Sequence, residues 1–299
     1  MSSAPSCGRK RDDGLEYTSA RPGALKGLMT SMSLNRKYEG MSVGREERVL
    51  LLTGERWPGI RYGCTQRYPG GVSQGPWEGL NLGSHVGDEP NAVAENRRRL
   101  RMLLPGEPLW LEQVHGSDVL DADAYTGADP APRADAAVTL LPHRVLAILT
   151  ADCAPVVVAD IDGRALGVAH AGWRGLAAGI LERTVATLRQ RLPHSRGWRA
   201  WVGPCIGPAT FEVGADVLRA FVEPVCDMAR FFRPAAAPGK WMADLPGLAR
   251  HRLEISGVHT VELSGLCTVE RPDLLYSYRR GHPTGRMATV AWISPPDEA

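Results

Sequence analysis

The most regular part of the sequence is residues 145–192, VLAILTADCAPVVVADIDGRALGVAHAGWRGLAAGILERTVATLRQRL. Three short apolar runs, at residues 145–149, 156–159 and 165–169, are typical of buried strands. Apolar residues then recur with helical spacing, and they predict one helix from about residue 176 to residue 192. This stretch therefore predicts closely packed strands followed by a helix that covers them.

The remainder of the chain adds further helices and strands to this centre. We predict a helix over residues 91–103, with Asn91 as its N-cap. Further elements are predicted as helices over residues 215–222 and 246–255, and as strands over residues 201–202, 258–263 and 287–293. Helices and strands interleave without a strict alternation, which favours an α/β or α+β fold with a mixed sheet.

The domain organisation follows from a change in composition near residue 45. Residues 1–45 are rich in Ser, Gly, Arg and Lys and show no apolar period, so we interpret them as a disordered extension or a start codon assigned too early. Residues 46–299 have the composition of an ordinary globular protein, and we expect them to form one catalytic domain. We expect this domain to be a monomer.

Composition and charge argue against several classes of protein. The 299-residue chain has a net charge of +2, without the basic face typical of nucleic-acid or membrane partners. The one basic run, Arg97–Arg99, is interpreted as the solvated face of a helix. The sequence has no apolar stretch of the roughly 20 residues that span a bilayer. Six cysteines without a Cys-x-x-Cys pair indicate a reducing compartment, and we expect a cytoplasmic enzyme.

Three segments place a soft-metal ligand where an apolar run enters a turn. They contain His115, Cys153 and His170, each next to small residues. Two imidazoles and one thiolate suit zinc, and three protein ligands leave a fourth position open, as in catalytic zinc sites. The alternative is that each residue fills the core, and the long intervals between the three match no short metal-binding motif. Cys205 and His282 are expected to be core filler and a loop residue.

The ligand segments resemble the signature segments of one family. The matching strings are LEQVHG at 111–116, LTADCAP at 149–155, AHAGWRG at 169–175, GGVSQGP at 70–76, LNLGSHVGD at 80–88, VGPCIG at 202–207 and YSYRR at 276–280. They are similar to the polyphenol oxidase or laccase domain family, which is now described as purine nucleoside phosphorylase with adenosine deaminase activity. The resemblance covers about residues 50–293, and Trp77 stands where the family often has Tyr.

This resemblance implies a fold, a metal and a reaction. It implies a layered α/β sandwich similar to cysteine deamidase domains, with His115, Cys153 and His170 as the metal ligands. It also implies zinc-dependent phosphorolysis of adenosine, guanosine, inosine and S-methyl-5′-thioadenosine, with phosphate as co-substrate, and deamination of adenosine to inosine. Small-molecule nucleosides are therefore the expected partners.

Two acidic residues beside the ligands are candidates for proton transfer. Deamination requires an acid for the departing amine, and Glu112 and Asp152 flank the ligands in sequence. Because neighbouring side chains along a strand point to opposite faces, we expect at least one of them to point away from the site.

Substrate binding has four further candidates. The helix start after Gly172 suits phosphate, and Arg174 and Arg67 are candidates to add charge there. The alternative for each arginine is a surface ion pair or a stem packed on the sheet. Asn81 and His85 are candidates for the ribose hydroxyls.

Three other functions remain open at this point. A multicopper phenol oxidase is disfavoured because the 8 histidines form no His-x-His pair, although copper remains an alternative metal for the single site. In a metal-free hydrolase, Cys153 is the nucleophile and His115 or His170 the base, with a cell-wall precursor as substrate. A non-catalytic binding module gives no reason for an open three-ligand site.

Overall fold

The structure is a computed structural model that describes residues 49–127 and 130–294, so the predicted extension lies outside the described residues. The strands are β1 Leu51–Leu52, β2 Ile60–Thr65, β3 Val119–Asp121, β4 Ala136–Thr139, β5 Leu146–Thr150, β6 Ala154–Asp160, β7 Leu166–Ala171, β8 Trp198–Val202, β9 Glu212–Val213, β10 Phe232–Pro234, β11 Trp241–Ala243, β12 Thr260–Leu263 and β13 Met287–Ile293. The helices are α1 Pro90–Arg101, α2 Trp173–Ala177, α3 Ile180–Arg191, α4 Ala215–Val222 and α5 Leu245–Ile255, with short 3-10 segments at Gly75–Trp77 and Cys226–Phe231.

The central sheet has six strands in the order β12-β8-β6-β7-β4-β3. β6 pairs antiparallel with both β7 and β8, while β12 pairs parallel with β8 and β3 parallel with β4. A second sheet, β1-β2-β13-β5, is antiparallel throughout, and a small sheet has the order β10-β11-β9. The mixed α/β architecture predicted from the sequence is confirmed.

Strand residues alternate between separate hydrophobic cores. Val156 and Val158 of β6 pack with the helices, whereas Val157 packs between the two large sheets. In β5, Ile148 faces the core between the sheets and Leu149 faces a third core. That third core also contains Leu100 of α1 and Val290 of β13, so the helices, the two sheets and α1 form successive layers. A side-chain period of two produces this arrangement.

Two predictions about helix ends are wrong. The single helix over residues 176–192 is two helices, α2 and α3, because Gly179 has a φ of +87° that interrupts the helical path. α1 begins at Pro90 with Glu89 at the N-cap position, so Asn91 lies inside the first turn. Proline suits the first helical position, because its N–H is missing where the helix would leave one unbonded and its φ is fixed near the helical value.

Other elements agree closely with their predictions or were missed. α4 and β13 have the predicted bounds, and β5, β6, β7 and α5 differ from theirs by a few residues. β2, β3, β4 and the small sheet were missed, since their strands have short or mixed patterns. Within the described part of the chain, none of the helices has the length and apolar character required to cross a bilayer.

Candidate metal centre

His115, Cys153 and His170 converge in the structure. Their ligand atoms all lie within 4.8 Å of one another, and the two imidazole rings meet edge to face with centroids 4.7 Å apart. His170 lies in β7, and Cys153 immediately precedes β6. The β6–β7 register pairs Ala154 with Ala171, which brings Cys153 alongside the end of β7. His115 comes from the loop before β3.

The buried carboxylate of Asp135 holds the His115 loop in place. It accepts hydrogen bonds from the backbone N–H groups of Val114 at 3.1 Å, His115 at 3.0 Å and Gly116 at 2.7 Å. His115 has a φ of +59°, an uncommon conformation for a residue with a side chain. The three hydrogen bonds stabilise this conformation and so direct His115 toward the other two ligands.

Asp135 also orients His170. The two side chains are joined by a 2.7 Å contact between His170 Nδ1 and Asp135 Oδ1. Burial by itself would raise the pKa of Asp135, but the hydrogen bonds from His170 and from the N–H of Gly116 hold that pKa below its usual range. The carboxylate is therefore ionised and accepts a hydrogen bond from Nδ1–H, which leaves Nε2 as the ligand atom. Metal-binding histidines commonly have such a carboxylate partner.

The three residues also favour the charge state that binds a metal. Burial alone would raise the pKa of Cys153, but the charge of His170 and a hydrogen bond with His115 lower it. The pKa of His170 is raised against its burial by the charge of Cys153 and by Asp135. These shifts favour a thiolate on Cys153 and a proton on His170, and a metal cation bound here would take the place of that proton. Thiolate and imidazole donors together suit zinc or copper.

Gly172 leaves the space that the ligands occupy. A Cβ at this position would lie 2.9 Å from Cys153 Sγ and 2.9 Å from His115 Nδ1. His170 is buried with 3% of its surface exposed, whereas His115 is exposed, so solvent reaches the group from the His115 side. The donor set, its orientation and its exposure all fit a single metal ion.

The two acidic candidates have different surroundings. Asp152 has a φ of +95°, and its carboxylate accepts hydrogen bonds from Thr268 Oγ1 at 2.5 Å and from the Arg279 N–H at 2.7 Å. Both carboxylate oxygens are therefore occupied in joining the Cys153 turn to two later segments. Glu112 is exposed, and its backbone pairs with the segment around Arg133.

The arginine candidates already have protein partners. Arg67 donates from Nε to the carbonyl of Glu78 at 2.9 Å and contacts the Tyr68 and Tyr276 rings. Arg174 is exposed in α2, where its guanidinium lies 4.5 Å from the centroid of the Trp173 ring.

Asn81 is buried, and its amide is fully hydrogen-bonded. Nδ2 donates to Gly83 O and Asp88 Oδ2, and Oδ1 accepts from the N–H groups of Gly83 and Arg286. This bonding uses both donors and both lone pairs. Asn81 therefore organises the loop that carries His85, and His85 itself is exposed.

Several residues near the centre were missed by sequence reasoning. No sequence motif points to Asp135, because its role depends on contacts with residues about 20 positions earlier in the chain. Arg286 directly precedes β13, and the charges of Cys153 and Asp152 act on its guanidinium. Cys205 is buried as predicted, and the N–H of the next residue, Ile206, donates to the Asp152 carbonyl at 2.9 Å, which places Cys205 near the centre as well. Only the tertiary structure brings these residues together.

Comparison with known proteins identifies the family. The model of the family described as multi-copper polyphenol oxidoreductase laccase matches residues 61–294. The chain belongs to this laccase family. The match includes all three candidate ligands and Asp135, so the centre lies inside the family's domain.

Similar proteins carry a different functional name. A purine nucleoside phosphorylase of Pseudomonas aeruginosa is 46% identical over 230 residues, which cover 77% of this chain and 92% of that protein. One from Xylella fastidiosa is 48% identical over 255 residues, covering 82% of this chain and 96% of that protein. YfiH of Escherichia coli, named in the same way, is 42% identical over 232 residues, covering 77% and 93%.

Solved structures of similar proteins share the fold. A Neisseria meningitidis protein matches with a TM-score of 0.73 and 42% identity, covering 79% of this chain and 95% of that chain. YlmD from Geobacillus stearothermophilus matches with a TM-score of 0.72 and 30% identity, covering 84% and 98%.

Proposed function

We propose that the chain is a zinc-dependent purine nucleoside phosphorylase that also deaminates adenosine. The observation that carries this proposal is the His115, Cys153 and His170 group, whose ligand atoms lie within 4.8 Å of one another. Relatives 42–48% identical that are named purine nucleoside phosphorylase support the substrate class.

The proposed substrates are adenosine, guanosine, inosine and S-methyl-5′-thioadenosine. Phosphate is the co-substrate, and the products are the free base and ribose 1-phosphate or its methylthio analogue. In the deamination, water reacts at the purine ring, and the products are inosine and ammonia. One exposed centre beside a polar loop is the proposed place for both reactions.

The chain's own residues bind and orient the reactants in this proposal. His115, Cys153 and His170 would hold the metal, and Asp135 keeps His170 and the His115 loop in position. Bound zinc supplies a Lewis acid at the centre. Glu112 is the proposed proton donor to the departing amine, because it is exposed three residues before His115. Asp152 positions the Cys153 turn through its two hydrogen bonds.

A cysteine hydrolase is the second candidate, and the Cys153–His170 pair favours it. His170 lowers the pKa of Cys153, which is the arrangement that activates a nucleophilic thiolate. Metal content separates the two candidates, because the hydrolase requires no metal.

The test begins with protein purified without added copper. Bound zinc is quantified, and adenosine is then incubated with and without phosphate while the products are separated by chromatography. We expect one zinc per chain, inosine in both reactions, and free base only when phosphate is present. Cys153→Ala should lose the zinc and both activities. Cys226→Ala is the matched control, since Cys226 is an exposed cysteine in a separate 3-10 segment.

Two results would contradict the proposal in different ways. If the protein binds one zinc per chain but converts no nucleoside, the metal centre is supported and the proposed substrates are wrong. Cell-wall precursors would then be tested. Turnover without metal that depends on Cys153 would favour the hydrolase.

A further inference from the structure

Two arginine side chains contact the loop that carries His85. Arg97 of α1 donates from Nε to the carbonyl of Leu82 at 3.0 Å. The stem of Arg286 packs against Gly83, where an added Cβ would lie 2.8 Å from Arg286 Cγ. The backbone N–H of Arg286 donates to Asn81 Oδ1, and the Arg286 carbonyl accepts from the N–H of Leu82. These bonds fix Arg286 against the same loop. The two arginine side chains are therefore held beside one short segment.

The sheet register places Arg286 beside the metal centre. Met287, the first residue of β13, pairs with Thr150 at the end of β5. Because this pairing is antiparallel, Arg286 continues alongside Ala151, two residues before Cys153. The charges that act on its guanidinium agree with this position, since Cys153 and Asp152 both raise the pKa of Arg286 against the effect of its burial.

Neither guanidinium has a carboxylate partner within ion-pair distance among residues 49–127 and 130–294. Arg97 stacks on Trp110 with its guanidinium 4.2 Å from the ring centroid. Arg286 donates from Nη1 to the carbonyls of Thr284 at 3.0 Å and Gly285 at 3.1 Å, which leaves Nε and Nη2 for another acceptor. Both side chains are partly buried. A partly buried cation without a paired anion is costly unless a ligand supplies the anion.

His85 adds a third polar group to this cluster. Its ring is exposed, and partial desolvation together with the charges of Arg286 and Arg97 lowers its pKa. Both guanidinium groups therefore lie within electrostatic range of the ring. A neutral imidazole beside two cations is a hydrogen-bond donor to an oxyanion.

We propose that Arg286, Arg97 and His85 form the oxyanion site that binds inorganic phosphate, and the phosphate group of the sugar product, next to the His115–Cys153–His170 centre. This inference rests on the proposed phosphorolysis. A guanidinium fork binds phosphate oxygens through two parallel hydrogen bonds. The site differs from the expectation at Gly172, Arg174 and Arg67, since Arg67 pairs with the Glu78 carboxylate and Arg174 is exposed on α2.

The position of this site fits the reaction. In phosphorolysis a phosphate oxygen forms a bond to C1′ of the sugar as the bond from C1′ to the base nitrogen breaks. The electron pair of the broken bond goes to the base, which takes up a proton. The cluster would hold the phosphate for this attack, whereas deamination of adenosine uses water and does not require it.

The experiment compares phosphate-dependent and phosphate-independent activity in the same zinc-loaded protein. In Arg286→Gln we expect the KM for phosphate to rise about 10-fold or more, since a hydrogen bond to a charged group contributes about 1.5–3 kcal/mol. The effect should be selective: the KM for phosphate should rise by a larger factor than the KM for adenosine in deamination, because the lost contact is to phosphate. Arg286→Lys retains the charge without the fork and should give an intermediate KM. Arg98→Gln is the matched control, because Arg98 is exposed on α1 and pairs with Glu95.

Titration calorimetry with inorganic phosphate alone separates this site from the proposed function. Phosphate binding by wild type that is lost in Arg286→Gln supports the site even if no nucleoside reacts. Unchanged phosphate binding in Arg286→Gln, or no phosphate binding by wild type, overturns it. If Arg286→Gln does not fold, Arg97→Gln is measured in the same way, and normal phosphate binding by that variant also overturns the proposal.

Discussion

Gly172 lies at the N-cap position of α2, and its backbone passes close to two of the three candidate ligands. Any side chain at this position would enter the space between Cys153 Sγ and His115 Nδ1. The residue has a φ of −66° and a ψ of 158°, which alanine also adopts easily. Its importance is therefore steric, and it concerns the ligands more than the backbone.

Gly172→Ala should reduce metal binding much more than stability. The added Cβ would lie 2.9 Å from each of two ligand atoms, so those ligands must move. We expect metal affinity to fall about 10-fold or more, as for other changes that displace ligands. The free energy of unfolding of the metal-free protein should change by about 1 kcal/mol or less. Metal competition with a chromophoric chelator and urea unfolding measure the two effects.

Gly197→Ala is the control for this substitution. An added Cβ at Gly197 meets only the Ile161 side chain, at an ordinary contact distance of 3.5 Å. Metal affinity in this variant should equal that of wild type. Equal affinity in Gly172→Ala as well would show that the ligands do not occupy this space when metal is bound.

At this scale the three candidate ligands could be proposed from the sequence, whereas the residues that support them could not. His115, Cys153 and His170 lie in strings that resemble a family's signature segments. Asp135 lies in no such string, although it bonds both the His115 loop and His170. Its contacts join residues that are distant in sequence, and no local pattern records such contacts.

At the scale of elements, Asp160 joins the β6–β7 turn to the segment before β8. Its side chain is fully buried and accepts hydrogen bonds from Arg164 Nε at 2.9 Å and Ser195 Oγ at 2.5 Å. Burial by itself would raise the pKa of Asp160, but the hydrogen bonds and the charge of Arg164 lower it. Asp160 therefore favours the folded state only while it is ionised.

Stability should fall in acid, and part of that fall should come from Asp160. Its pKa is lower in the folded chain than the value of about 3.9 expected in the unfolded chain. The stabilising contribution is complete above the unfolded pKa and is lost as the pH falls toward the folded pKa. Asp160→Asn should reduce the free energy of unfolding by about 1–3 kcal/mol near pH 7, and by less near pH 3.5.

Urea unfolding of wild type and Asp160→Asn at a series of pH values measures this difference. Asp118→Asn is the control, because the Asp118 side chain is exposed. A difference between wild type and Asp160→Asn that stays constant from pH 7 to pH 3.5 would contradict the assigned role.

Element bounds could be predicted where one periodicity persists. α4 and β13 have the predicted bounds because each shows one clear pattern along its length. The α2–α3 break was missed because apolar spacing continues across Gly179, and the positive φ of that glycine leaves no trace in the hydrophobic pattern. The short strands β3 and β4 depend on their neighbours in the sheet for their conformation.

At the scale of the whole molecule, the candidate centre connects separate parts of the fold. His115 lies in the loop before β3, Cys153 between β5 and β6, and His170 in β7. β5 belongs to the second sheet, whereas the other three strands belong to the central sheet. A bound metal would therefore cross-link segments that otherwise separate on unfolding.

Removal of the metal should lower the thermal stability of the whole protein. With free metal 1,000-fold above its Kd, binding stabilises the folded state by about 4.1 kcal/mol. For a chain of this size, that free energy corresponds to a Tm shift on the order of 10 °C. Differential scanning calorimetry before and after dialysis against a chelator measures the shift, and restored zinc should reverse it.

Cys153→Ala provides the comparison for metal removal. This variant should have the same Tm with and without the chelator, because one ligand is absent. A chelator-induced shift of equal size in Cys153→Ala would place the stabilising metal elsewhere in the protein.

The sequence by itself determined the mixed α/β class, the buried strands β5, β6 and β7, and the three candidate ligands. These features depend on local periodicity and on short strings, which the amino-acid order contains directly. Only the tertiary structure decided that Asp135 orients His170, that Gly172 leaves space for the ligands, and that Arg286 approaches Cys153. The physical reason is that each of these contacts forms between residues far apart in the chain, after the sheets have paired and the layers have packed.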